Sequence, residues 1–496
     1  MPQDVDLALV LACGLLLFAV LSVRVSSRTG VPSLLIYLLI GLLIGESGLG
    51  IQFEDYQLTK ELGLIALAII LAEGGLTTRW SQVRQAAVPA ALLSTVGLAL
   101  NVAVVAGVCM LVLDTSGRTA LLLAAAVSST DAAAVFSVLR RLPLRTRLRS
   151  ILEAESGLND APAIVLITLA SSDEWGHTPL WETLGLVGYE LLAGLAIGLA
   201  IGWVGRASLG RLALPSAGLY PLATVALVML AYGLAGVAHA SGFLAVYVAG
   251  VVVGNTRLPH RRAVLGFATS LSLLAELGLF VLLGVLASPP RLLDAVPEAV
   301  LVGAAALFLG RPVAVAASTS WFGVPWRHQA FLAWSGLRGA VPIVFATVPV
   351  AAGVDGATEV LDVVFVLVVL YTLLQAPTLP SVGRRLGVIE DLEARDLEVE
   401  AAPLETVRAD LLQVRVRPGS QLHGVYVDEL RLPEGAVLSL VVRDGVGAVP
   451  SGDFRLQRGD QLLVVATADS RVLAEERLRA VSADGKLARW YGVPRQ

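Results

Sequence analysis

Thirteen stretches of this 496-residue chain are apolar over most or all of the length that a bilayer crossing requires. A spanning helix needs about 20 mostly apolar residues. The stretches fall at about 6–23, 32–45, 62–78, 86–113, 118–139, 150–171, 184–205, 219–238, 242–256, 264–287, 296–319, 328–350 and 360–382. The second and ninth are short. The chain is 56% hydrophobic and 15% charged, with mean hydropathy +0.77. Soluble domains carry about 25% charged residues, so this much apolar surface has no place in one water-soluble core. A secreted disulfide scaffold, a disordered chain and a nucleic-acid binder are excluded.

The loops test the count, because Lys and Arg collect on the cytoplasmic side of short loops. Arginines follow the odd-numbered segments: Arg24 and Arg28, Arg79 and Arg84, the run from Arg140 to Arg149, Arg206 and Arg211, Arg257 to Arg262, Arg327, then Arg384 and Arg385. The opposite loops hold acids such as Glu46, Asp55, Asp173, Glu182, Asp294 and Asp355. One miscounted helix inverts every later loop, yet the alternation persists. The expectation is an all-α polytopic membrane protein of about 13 helices, N-terminus outside and C-terminus in the cytoplasm. The N-terminus lacks the basic region of a signal peptide, so the first segment reads as a retained helix.

Composition changes near residue 384. The reading divides the chain into a transmembrane domain (1–383), a charged linker (384–403), a small soluble domain (404–482) and a tail (483–496). The charged run 384–410 reads as a linker helix. In the soluble part, Leu412–Val416 alternates like a strand. Val437–Val442 and Val446–Val449 flank the turn signal Arg443-Asp444-Gly445, and Leu462–Ala466 is a further strand. Asp469 is placed as the cap of a last helix, 470–480. The domain is α+β and too small for a nucleotide-binding Rossmann unit, whose fingerprint it lacks.

Ionisable groups inside a membrane cost about 2.5–3.5 kcal/mol each on insertion scales and default to functional candidates. The fifth segment contains Ser128-Ser129-Thr130-Asp131. The sixth contains Glu155-Ser156-Gly157-Leu158-Asn159-Asp160-Ala161-Pro162, and the twelfth Gly336-Leu337-Arg338-Gly339-Ala340-Val341-Pro342. At about 1.5 Å per residue, Asp131, Asp160 and Arg338 lie roughly 12–15 Å from the cytoplasmic helix ends, near one plane. Ser156 and Asp160 share one helix face by their i,i+4 spacing, and Glu155 and Asn159 share the adjacent one. Asp160 and Ser156 can therefore face an ion while Glu155 turns to Arg338. Hard cations take oxygen ligands, and two close aspartates do not both stay ionised without a cation. Such a site exchanges a proton for a metal ion. The Gly and Pro around Arg338 and the Ser-Ser-Thr-Asp run are expected to interrupt their helices and aim backbone dipoles at the site.

Each residue has a plainer reading. Asp131 can cap a helix break, and Asp160 can cap a helix restarting at Pro162. Arg338 keeps its proton, so it pairs or orients. Glu73 sits near a helix end and is divided between snorkelling and the site. Glu276 and Arg311 are both intramembrane and are read as a second, structural pair. Three charges at one depth argue against coincidence.

These motifs together resemble the monovalent cation:proton antiporter-1 family, the NhaP type, over residues 6–382. The resemblance implies an inverted-repeat fold of six helices, a linking helix and six more, with the fifth and twelfth unwound where they cross, and a homodimer. It implies that Asp131 and Asp160 hold cation and proton alternately, that Thr130 and Ser156 coordinate the cation, and that Glu155 pairs with Arg338. Asn159 stands where electrogenic relatives carry an aspartate, which implies one-for-one, electroneutral exchange. Glu73 matches a further acidic position near the ion. The tail resembles the TrkA-C (RCK-C) regulatory domain through Val416-Arg417-Pro418-Gly419-Ser420, Leu430-Arg431-Leu432-Pro433-Glu434-Gly435 and Gly459-Asp460-Gln461-Leu462. That resemblance implies either cyclic di-AMP binding or a ligand-free dimer interface.

The function these features point to is potassium/proton exchange across a bacterial inner membrane by alternating access, without resident metal or cofactor and without enzymatic activity. The partners are K⁺ or Na⁺, H⁺, membrane lipid and a second copy, and no nucleic acid. Sodium/proton exchange on the same fold is the first alternative. A tail-gated cation channel is another, but no Thr-Val-Gly-Tyr-Gly filter occurs. An intramembrane aspartyl protease is a third, and its Gly-x-Gly-Asp pattern is missing.

Overall fold

The computed structural model describes residues 33–46, 50, 55–131, 144–173, 175–177, 179–212, 214–256, 258–389, 399–404, 409–416, 420–443, 445–467 and 469–485, with scattered residues of 6–21. It divides into two compact units, 1–389 and 390–496.

The first unit is built of helices: α1 (Ser33–Ile44), α2 (Tyr56–Thr77), α3 (Ala87–Val112), α4 (Gly117–Ser128), α5 (Thr146–Leu158), α6 (Asp160–Ser171), α7 (Leu180–Leu209), α8 (Leu219–Val237), α9 (Gly242–Gly254), α10 (Arg261–Leu286), α11 (Val296–Phe322), α12 (Trp326–Trp334), α13 (Ala340–Ala351) and α14 (Ala357–Leu386). They fall on the second to thirteenth apolar segments, with the sixth split into α5 and α6 and the twelfth into α12 and α13. Among the described residues, six helices are long and apolar enough to cross a membrane by length and composition. The first segment, and residues 132–139 of the fifth, lie largely or wholly outside the described residues.

Helices in lipid associate through close packing rather than through a hydrophobic drive, so small residues let backbones meet. A Cβ on Gly284 of α10 would stand 2.9 Å from Gly41 Cα of α1, and one on Gly250 of α9 would stand 3.1 Å from Gly75 Cα of α2. The two pairings use one device twice. A second device also recurs. One π-helical turn interrupts α3 at Leu93–Gly97, and another interrupts α11 at Ala306–Gly310. Each turn packs on the other helix. Its last residue is a glycine, Gly97 or Gly310, pressed against Ser318 or Asn101. Such turns add a residue and locally re-aim a helix.

The second unit is a five-stranded antiparallel sheet with order β1-β2-β5-β3-β4. The strands are β1 (Val399–Leu404), β2 (Ala409–Arg415), β3 (Ala436–Arg443), β4 (Val446–Ala448) and β5 (Gln461–Thr467). Buried and less buried residues alternate along β5, as a half-covered strand demands. Its buried Leu462, Val464 and Ala466 share a core with Ala474, Leu478 and Val481 of α15 (Arg471–Asp484). Two expectations are corrected. The charged run 384–410 is not one helix: α14 continues to Leu386, 390–398 lies outside the described residues, and Val399–Leu404 pairs with β2 because its edge completes the sheet. Ser470, not Asp469, occupies the N-cap position of α15.

Asp460 ties the sheet's end together. Both carboxylate oxygens accept from Arg443 at 2.8 Å, and one accepts the Gln457 amide at 2.7 Å. Burial alone raises its pKa, but the Arg443 and Gln457 hydrogen bonds and the Arg443 charge outweigh burial and hold it below the ordinary carboxylate value.

Gly250→Leu should force α2 and α9 apart at a backbone contact. A loss of about 1–3 kcal/mol or more, read as a lower melting temperature of the purified chain, is expected; an unchanged one refutes the packing role. Asp460 is depressed when folded, so its contribution is fully present above its unfolded pKa of about 3.9, begins to fade below it and is lost as pH falls on through the lower folded value. Hydrogen exchange of β3 and β5 amides in the full chain, corrected for intrinsic rates, should quicken below about pH 4, and Asp460→Asn should show the fast behaviour already at pH 6.

Candidate functional site

The first unit's centre is a crossing of two interrupted helices. α4 stops at Ser128, and Ser129, Thr130 and Asp131 follow in non-helical backbone. Residues 335–339 separate α12 from α13 in the same way. A helix end leaves carbonyls or amides without intrahelical partners. Here each end is satisfied by the opposite chain segment. Arg338 donates from one nitrogen to the Ser128 and Ser129 carbonyls at 3.1 and 2.5 Å, a cation on the negative end of α4. Asp131 Oδ2 accepts the Ala340 amide at 2.7 Å, an anion on the positive end of α13. The Asp131 amide donates to the Leu337 carbonyl at 3.0 Å and closes the crossing. Gly339 is required there, since a Cβ would overlap the Asp131 carboxylate.

The kink between α5 and α6 has a separate cause. Pro162 has no amide proton to give to the Leu158 carbonyl, and the helix breaks at Asn159. The break sets Asp160 in the first turn of α6, facing the α4 end. Ser129 Oγ donates to Asp160 Oδ1 at 2.5 Å. Thr130 and Ser156 hydroxyls lie 3.3 Å apart, and the Asn159 amide donates to Thr130 Oγ1. Thr130, Asp131, Ser156, Asn159 and Asp160 are all buried, and Asp131 lies within electrostatic reach of Asp160. Five of the six residues expected to hold an ion, all but Glu73, thus gather where α4 ends beside α5 and α6. Among the described residues, Asn159 Oδ1 is buried with no hydrogen-bond partner. Carboxylates, hydroxyls and an orphaned amide oxygen form a donor set suited to a hard monovalent cation.

The ion pairs differ from the sequence expectation. Glu155 does not pair with Arg338. Its two oxygens take the two terminal nitrogens of Arg311, one contact being 2.8 Å. Arg338 is held by the α4 carbonyls, whose unmet acceptors lie at the crossing. For the same reason the Glu276–Arg311 pair is not formed: Arg311 is spent on Glu155 and the Leu332 carbonyl. Arg311 reaches this position from the turn after the π-helical segment of α11, over Gly336, where a Cβ would come within 2.9 Å of its Nε. Glu73 lies on α2, where its carboxylate accepts from Thr269 of α10 at 3.0 Å. Two contributors were missed. Ser129 holds Asp160, and Asn101 of α3 donates to Ser128 Oγ at 2.9 Å, bracing the broken end. Ser129 stood inside the motif that drew attention. Asn101 is the one carboxamide in the apolar run 86–113, a polar group whose partner the sequence does not show.

A family model described as "Sodium/hydrogen exchanger, transmembrane" matches residues 14–385, and one for the TrkA-C domain matches 411–477. The K(+)/H(+) antiporter NhaP of Alkalimonas amylolytica is 34% identical over 471 residues, 93% of this chain and 82% of that protein. The K(+)/H(+) antiporter NhaP2 of Shewanella baltica (strain OS223) is 32% identical over 482 residues, 96% and 83%. In fold, the sodium proton antiporter MjNhaP1 from Methanocaldococcus jannaschii superposes with TM-score 0.66 at 20% identity, covering 77% of this chain and 99% of that one.

Arg311→Ala strands Glu155 as a buried, unpaired charge and should cost about 3–5 kcal/mol. Adding Glu155→Gln should restore most of the lost melting temperature. The same second substitution should not rescue Arg338→Ala, whose loss exposes α4 carbonyls instead. Rescue of Arg338→Ala alone would reverse the assignment.

Proposed function

The chain belongs to the sodium/hydrogen exchanger family, and we propose that it is an electroneutral potassium/proton antiporter regulated by its TrkA-C domain. The observation that carries the stoichiometry is the charge balance at the crossing. Among the described residues, three buried carboxylates, Glu155, Asp131 and Asp160, face two buried guanidiniums, Arg311 and Arg338. Neither guanidinium gives up its proton. One negative charge is left over, and one proton or one monovalent cation neutralises it. The neutral forms are the ones that can change exposure cheaply, because an uncompensated charge is costly in the membrane. Proton release on one side and cation uptake there are thereby coupled without net charge movement.

In this reading Asp131 and Asp160 share the exchanged charge. Ser129 orients Asp160, the α13 amide end orients Asp131, and Thr130, Ser156 and Asn159 complete the oxygen cage. Glu155 with Arg311 is the structural ion pair. Glu73 is an acidic station near the ion's path. Potassium is favoured because the relatives named K(+)/H(+) antiporters match the chain nearly end to end, tail included. Sodium is the second reading, favoured by the Na(+)/H(+) antiporter ApNhaP of Aphanothece halophytica at 28% identity. We further propose thirteen spans with the N-terminus outside and the C-terminus in the cytoplasm of a bacterial inner membrane, supported by the arginine alternation between loops. We also propose a homodimer, and a tail that takes cyclic di-AMP or another nucleotide.

Proteoliposomes holding a preset ΔpH and a pH dye test this. K⁺ should dequench the dye, equally with and without a voltage clamp. Asp131→Asn and Asp160→Asn should each fall to the level of empty liposomes while melting as folded proteins. Wild-type exchange by either variant sinks the site, and a response to Na⁺ alone reassigns the cation.

A further inference from the structure

Two cavities at the C-terminal end of α7 share one residue, Arg206. The first, of about 490 Å³, runs inward between α2, α3, α5, α7 and α9. Its walls are almost wholly apolar, with Ala154 and Leu158 on α5, Leu199 on α7, and Val248 and Val252 on α9. The second, of about 570 Å³ and more open, lies at the surface against Trp203, Arg206 and Arg211. Among the described residues, neither arginine side chain makes an ion pair with a carboxylate. Trp203 and Trp80 are exposed beside them, as aromatic residues at a membrane–water boundary are.

We propose that this is a binding site for an anionic phospholipid, with its phosphate on Arg206 and Arg211 and one acyl chain in the apolar cavity. The cavity lies within the ~300–1,000 Å³ range of ligand pockets. An apolar slot gives a free anion nothing to bury, and two unpaired cations at its mouth give a neutral apolar ligand nothing to gain. A molecule with a phosphate at one end and a hydrocarbon chain at the other satisfies both, as basic pockets between membrane helices do for lipid headgroups. The chain would lie against Ala154 and Leu158, on the helix that carries Glu155 and Ser156. It would also border the seam where Gly157 packs on the Tyr247 ring so closely that a Cβ would overlap it. Lipid composition thereby reaches the helix of the candidate ion site. The binding itself is independent of the exchange reading.

The test uses the full chain in phosphatidylcholine vesicles containing a trace of phosphatidylglycerol with a photoreactive diazirine on its acyl chain. After illumination, labelled peptides should map to α5 and α9. Unlabelled phosphatidylglycerol should compete better than phosphatidylcholine by roughly tenfold or more, the scale that two basic residues set at a membrane surface. Inorganic phosphate should not compete. Arg206→Gln with Arg211→Gln should remove the preference for the anionic lipid. Leu199→Trp should fill the cavity and remove labelling with both arginines intact, which keeps the test sound if the double variant folds poorly. Labelling confined to outward helix faces, equal competition by phosphatidylcholine, displacement by phosphate alone, or labelling that survives Leu199→Trp would each overturn the site.

Discussion

Two helices broken at the same place are stable only because each supplies what the other's end lacks. In a lipid environment an unmet carbonyl or amide costs several kcal/mol, and non-helical backbone survives only where protein satisfies it. Arg338 meets the carbonyls that α4 leaves open, Asp131 meets an amide that α13 leaves open, and the Asp131 amide bonds the Leu337 carbonyl. The constraint runs both ways. Asp131 is a capping group and a candidate ion ligand at once, so the charge that could bind a cation also holds the crossing. Its two readings from sequence are two aspects of one position.

The rest of the first unit is arranged to keep that crossing in place. Asn101 reaches from α3 to Ser128, and Gly310 of α11 leaves space against Asn101. Arg311, one residue further on, spans to Glu155 on α5. The π-helical turns in α3 and α11 set both helices' approach to each other and so the reach of Asn101 and Arg311. A buried ion pair such as Glu155–Arg311 is weak evidence for stability in itself. Its geometric effect here is to fix α5, and with it Ser156 and Asn159, relative to α11. It also leaves Arg338 for the carbonyls.

Much of this was legible in the sequence. The apolar segments from the second onward fall on the described helices because lipid demands long apolar segments whatever the tertiary packing. Ser129-Thr130-Asp131, Glu155 to Pro162 and Gly336 to Pro342 stand out along the chain because charge and helix breakers rarely coincide inside a membrane. In the tail, β2 followed from alternation, β3 and β4 from the turn signal between them, and β5 from the apolar run after Arg458-Gly459-Asp460. The strand Val399–Leu404 did not, because its charged neighbourhood reads as helix and only the open edge of β2 makes it a strand.

What the sequence determined by itself was therefore local: which segments are apolar enough to span, where they break, and which of them bear charge. Those depend on composition, proline, glycine and the cost of burying ions, all of which act within a few residues. Which charge meets which was decided only by tertiary structure. Arg311 and Arg338 are chemically alike and similarly buried, and no spacing along the chain says which of them faces Glu155. That choice is made by interhelical approach, through glycine contacts, π-turns and the carbonyls that α4 leaves unmet, over distances that the sequence does not encode.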